Sequence, residues 1–114
     1  DRRGMSYAYK VLTAPQMAQF LADGVFKGAP VDVADGYIHL STLPQLAETI
    51  DKHFAGQTGL FIATVDLDVL GDAVRWEESR GGALFPHIYA DLPFSAVVAH
   101  GALQRDIAGG IILP

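Results

Sequence analysis

The 114-residue chain predicts an α+β fold on three observations. Two capped amphipathic stretches come early, β-prone runs fill the second half, and helices do not alternate with strands as a parallel α/β sheet requires. The length corresponds to one domain over residues 5–114. Asp1–Gly4 is expected to be a non-native extension, with Met5 as the natural start.

Tyr7–Leu12 opens as a short β-prone segment. Thr13 then reads as an N-cap with Pro15 in the first turn. Met17, Phe20 and Leu21 follow at helical spacing, and Gly24 stops the helix, giving a span of Ala14–Ala22. Residues 24–36, rich in Gly, Pro and Asp, read as a loop. Tyr37–Ser41 reads as a strand with Tyr37, His39 and Ser41 on one face and Ile38 and Leu40 on the other. Thr42-Leu43-Pro44-Gln45 fits a capping box, so a second helix is expected over Leu43–Phe54, with Leu46 and Ile50 in its apolar stripe.

The apolar run Gly59–Val65 suits a buried central strand. Asp66–Asp72 turns, and Val74–Glu77 is a short strand with Val74 and Trp76 opposite Arg75 and Glu77. Ser79-Arg80-Gly81-Gly82 is a loop, and Phe85–Tyr89, Val97–Leu103 and Gly110–Leu113 are further strands. The expected core is Leu12, Phe20, Leu21, Ile38, Leu40, Leu46, Ile50, Leu60, Ile62, Trp76 and Val97.

Composition excludes several classes. Hydrophobic residues make up 50% and charged residues 18%, too apolar for a disordered chain. With no cysteine there are no disulfides, thiolate metal sites or cysteine nucleophiles. A net charge of −5 opposes broad nucleic-acid binding, while leaving room for a small anion at a local basic spot. The apolar run Leu60–Val65 is far too short to span a bilayer, and the opening residues do not read as a secretory signal, so the expected location is cytoplasmic.

Three segments carry the side chains of chemistry. Tyr37, His39 and Ser41 put a ring, an imidazole and a hydroxyl in one row, although a half-buried strand meeting solvent shows the same alternation. Arg75 and Glu77, followed by Arg80 in a glycine-rich turn, could meet an anion or a developing cation, or form an ordinary polar edge strand. His87 and Tyr89 share a face on a strand that Pro86 marks as an edge or an opening, where a hydrogen-bonded structural histidine is the plainer alternative. Nucleotide-loop, nucleophile-elbow and zinc-protease motifs are absent. His39, His53, His87 and His100 lack metal-ligand spacing, so no metal is expected, and Asp32 and Asp35 serve as well for capping as for a cation.

Asp32-Val33-Ala34-Asp35-Gly36-Tyr37-Ile38-His39-Leu40-Ser41-Thr42, Arg75-Trp76-Glu77 and Phe85-Pro86-His87-Ile88-Tyr89, with Tyr9-Lys10-Val11 ahead of them, resemble a family of small bacterial proteins catalogued as domain of unknown function 952. The resemblance covers nearly all the chain from Tyr9 onward. It implies an ADP-ribosyltransferase-like fold, similar to that of the RNA 2′-phosphotransferases, with two early helices packed on small antiparallel or mixed sheets. Such proteins hold NAD or an ADP-ribosylated intermediate in a cleft between two sheets. NAD therefore enters through the resemblance alone. The strand Ile38-His39-Leu40-Ser41 looks like the second element of that superfamily's triad. Tyr9-Lys10-Val11-Leu12 lacks the histidine of the first, and Glu77 is a stand-in for the late glutamate.

One cleft is therefore expected, with His39, Glu77 and His87 as catalytic candidates. Tyr37, Ser41, Arg75, Arg80 and Tyr89 are the ligand-binding candidates. Its occupant would be a small nucleotide-like or phosphate-bearing molecule. Three functions fit this inventory: ADP-ribosyl or NAD-related transfer, ligand binding without turnover, and a hydrolase or phosphotransferase built on His39 and His87.

Overall fold

Strand β1 (Tyr7–Leu12) is buried on both faces because it lies between two layers of helices and sheet. It pairs antiparallel with β4 (Phe61–Asp66), which pairs in turn with β8 (Val97–Ala102), giving a sheet of order β1-β4-β8. Alternation sends Ala8 and Leu12 to one side and Tyr9 and Val11 to the other. The first side packs on α1 (Ala14–Asp23) through Met17 and Phe20; the second packs on α3 (Leu43–His53) through Leu46 and Ile50. The structure, a computed structural model, describes residues 6–114, so the expectations for Asp1–Gly4 and Met5 lie outside the described residues.

Helix α1 begins at the expected cap. Thr13 Oγ1 accepts from Gln16 N at 3.3 Å, and Gln16 Oε1 accepts from Thr13 N at 2.9 Å. Gly24 closes it in the left-handed conformation, with φ 72°, where a side chain is disfavoured. At α3 the reciprocal contact is Thr42 N donating to Gln45 Oε1 at 3.0 Å. The Gln45 amide also donates to Leu84 O at 2.8 Å, tying α3 to the second sheet.

That second sheet has the order β3-β6-β5, from Ile38–His39, Leu84–Ile88 and Val74–Glu78, again antiparallel. A backbone bridge joins it to the first. Tyr9 N donates to Ser41 O at 2.8 Å and Ser41 N to Tyr9 O at 2.9 Å, an isolated bridge that forms a seam between the sheets. Two small ladders complete the framework: β2 (Val25–Phe26) with β7 (Leu92–Pro93), and β9 (Gln104–Arg105) with β10 (Ile111–Ile112).

The α+β class and the two early helices stand, each within one residue of the expected ends. Five expectations are corrected. Residues 24–36 are not all loop, since they hold β2 and helix α2 (Pro30–Asp35). The turn at 66–72 contains a helical turn, α4 (Leu67–Leu70). Leu21 is 51% exposed, because Met17 and Phe20 already fill the face of α1 that meets the sheet. Trp76 is 48% exposed: it shares the Val74 face of the edge strand β5 but lies outside the buried cluster against which Val74 packs. Val97 is half-buried against the core rather than inside it. Among the described residues no helix is long and apolar enough to cross a membrane.

Candidate functional site

Register gathers the three polar segments onto one sheet face. His39 lies opposite His87, and His87 opposite Arg75, so these three form a single row across β3, β6 and β5. Alternation adds Tyr37, Phe85, Tyr89 and Glu77 to that face, while Ile38, Ile88 and Val74 turn to the core. The rings meet there. Tyr37 stacks on His87 with centroids 4.2 Å apart and touches His39 and Tyr89 at 4.6 and 5.1 Å. His39 and His87 stand edge to face at 5.2 Å.

A cavity of about 460 Å³ opens at the seam between the sheets. β1 contributes Tyr9, Lys10 and Val11 to its wall, α2 contributes Pro30, Val31 and Asp35, and α3 contributes Thr49 and His53. Of the predicted site residues, His39, Ser41 and His87 line it. Tyr37 and Tyr89 instead border a shallower depression beside Gly36 and Asp91. Arg75 lies over the Tyr89 ring, 4.3 Å from its centroid. Glu77 stands behind His87, outside the cavity wall. The Arg80 side chain lies outside the described residues.

His39 belongs to a network that the sequence reading missed. Asp32, fully buried on α2, accepts from Lys10 Nζ at 3.1 and 2.9 Å, from Ala29 N at 2.8 Å and from His39 N at 3.1 Å. Its Oδ1 also lies 2.7 Å from His39 Nδ1, while His39 Nε2 lies 2.9 Å from Asp35 Oδ2. Lys10 gives its remaining N–H to His39 O at 3.0 Å. Burial alone would push the Asp32 carboxyl up; the His39 hydrogen bond and the Lys10 charge outweigh it and hold the group at about 2. Burial pushes the Lys10 ammonium down, opposed by Asp32. A lysine inside the otherwise apolar Tyr7–Leu12 strand was the available signal, since a buried ammonium needs a carboxylate. Ser41 is tied as well: its hydroxyl lies 2.7 Å from Thr49 Oγ1 on α3.

His87 is held differently. Its Nδ1 lies 2.7 Å from Glu77 Oε1, and the same oxygen accepts from Tyr89 OH at 2.8 Å. These hydrogen bonds, first from His87 and then from Tyr89, pull the Glu77 carboxyl below its ordinary value, and the bond to Glu77 raises the Tyr89 hydroxyl. His87 is 2% exposed, and its Nε2 is a buried polar atom without a hydrogen-bond partner among the described residues. No cluster of three or more His, Asp or Glu among those residues is arranged to hold a metal ion.

The profile of the family described as "Protein of unknown function (DUF952)" matches residues 11–100. The chain belongs to this family. A solved structure agrees over nearly the whole DUF952 chain: the crystal structure of protein CC0527 from Caulobacter crescentus is 41% identical, covers 94% of each chain and superposes with a TM-score of 0.85. The solution NMR structure of CC0527 is 42% identical over 92% of this chain and 90% of that one, with a TM-score of 0.78. No curated protein matches this DUF952 chain.

Proposed function

We propose that this protein binds a small molecule in the cleft at the seam of its two sheets, with His87 as the side chain that meets it. One observation carries the reading: the buried, unpartnered Nε2 of His87, on a ring whose Nδ1 is fastened to Glu77. An ionised Glu77 only accepts, so the ring proton of neutral His87 belongs on Nδ1 and a lone pair is left on Nε2. Leaving such an acceptor buried and empty costs about 1–3 kcal/mol, which a donor arriving through the cleft recovers. In a reacting complex the same lone pair takes a proton, with Glu77 orienting the ring and stabilising the imidazolium. Glu77 is on this reading a positioning residue. His39 and Ser41 form wall rather than machinery, because both are already engaged.

NAD-related transfer is the second reading, favoured by the cavity's position where two small sheets part, with the His39–Ser41 segment in its wall. There the carboxylate facing the ligand is Asp35, and Glu77 stays behind His87. Calorimetric titration with NAD, ADP-ribose and adenosine, beside a chromatographic assay for released nicotinamide, separates the readings. Binding without release supports a binding module, and release supports the transferase. If none of the three binds, or if binding survives His87→Ala unchanged, the cleft reading is wrong.

A further inference from the structure

Resting on the reading of the cleft as a ligand site, we infer that it selects an uncharged, hydrogen-bond-donating molecule of nucleoside type and rejects the corresponding phosphate ester. The first ground is the spare valence on a wall residue, His87. His87 Nε2 is an acceptor, so its complement is an O–H or N–H on the ligand. A phosphate oxygen, itself an acceptor when ionised, does not satisfy it.

The second ground is that the lysine in the wall is spent. Lys10 directs its three N–H bonds at both oxygens of Asp32 and at His39 O, leaving none for an anion. His39 turns both ring nitrogens toward carboxylates. Arg75, one strand away, lies over Tyr89 and outside the cavity wall. Asp35 lines the cavity, so an anion entering it meets a negative charge, on a chain whose net charge is already −5. Specific phosphate sites present arginine forks, a lysine or a row of backbone N–H groups.

The third ground is the remaining surface. Val11, Leu40, Phe54 and Phe85 furnish apolar walls, and about 460 Å³ is the size of a small-molecule site. Apolar walls with the Asp35 carboxylate and the His87 ring among their polar groups suit a flat ring carrying donors.

The test is calorimetry on the full chain with matched probes: adenosine against AMP, and uridine against UMP, with inorganic phosphate alone. The nucleosides should bind roughly tenfold or more tightly than their phosphates at low salt, with the gap narrowing as salt screens Asp35. His87→Phe, which keeps a flat ring beside Tyr37 and removes the acceptor, should abolish the nucleoside signal. Nitrogen NMR of the unaltered protein gives a readout that needs no variant: Nε2 should resonate as an unprotonated nitrogen in the free protein and move on adding adenosine. Phosphates binding as tightly as nucleosides, or inorganic phosphate binding alone, would overturn this inference and leave the cleft reading standing. A protonated Nε2 in the free protein, or a nucleoside preference untouched by His87→Phe, overturns it too. If no probe binds, both fall together.

Discussion

His39 and His87 face each other from neighbouring strands, with ring centroids 5.2 Å apart, yet they are held in opposite ways. Around His39 every donor and acceptor is answered: Asp32 on one nitrogen, Asp35 on the other, and Lys10 on the backbone carbonyl. Around His87 one nitrogen is answered by Glu77 and the other by nothing among the described residues. The same side chain in the same row is thus a structural tie in one strand and an open valence in the next. What separates them is the supply of carboxylates. α2 brings two to His39, whereas β5 brings one to His87.

The sharpest way to break this comparison is Asp32→Ala. It strips Lys10 and His39 of their shared partner and leaves a buried ammonium unpaired, so stability should fall by about 3–5 kcal/mol in urea unfolding. A loss below about 1 kcal/mol would mean that the network is not what anchors α2.

Acid comes next. The folded Asp32 carboxyl lies at about 2, below its ordinary 3.8. The protein therefore gains stability from it above the higher value and loses it as pH falls toward the lower. The gain is on the order of 2 kcal/mol and disappears between about pH 4 and 2. Circular dichroism melts over that window should show a steeper decline for the native chain than for Asp32→Asn.

A smaller contrast lies between the histidines themselves. His39→Ala should cost about 1–3 kcal/mol, because Asp32 and Asp35 lose a shared donor. His87→Phe should cost less, since it removes an unanswered polar atom while keeping a ring beside Tyr37. Equal losses in thermal melts would erase the distinction.

The smallest effect is expected from Arg75→Ala. An exposed cation over Tyr89 contributes about 0.5–1 kcal/mol, and ligand affinity should stay unchanged because Arg75 does not line the cavity. A drop in affinity would return Arg75 to the site.

The parts legible in the sequence were those governed by local periodicity. Thr13 and Gly24 bracket α1, Tyr7–Leu12 is a strand to the residue, and strand alternation placed Tyr37 with His39 and His87 with Tyr89. α2 was hidden because six residues between Pro30 and Gly36 are too few to display a helical stripe. Trp76 misled because alternation assigns a face without saying whether that face is covered. Lys10 and Asp32 were missed as a pair because they meet across 22 positions of chain, a closure no local pattern announces. That Glu77 buttresses His87 from behind depends likewise on the diagonal offset of two paired strands, which register alone settles.

The seam between the sheets is made by the amides of Tyr9 and Ser41, and so it is indifferent to which side chains those positions carry. Almost every replacement keeps the N–H and C=O groups from which its two hydrogen bonds are made. Proline, which has no N–H to give, is the exception at either position. The joint that holds the cleft's walls together is thereby written in the backbone, so wall residues other than Tyr9 and Ser41 can be exchanged to retune what the cleft accepts without touching the groups that form it.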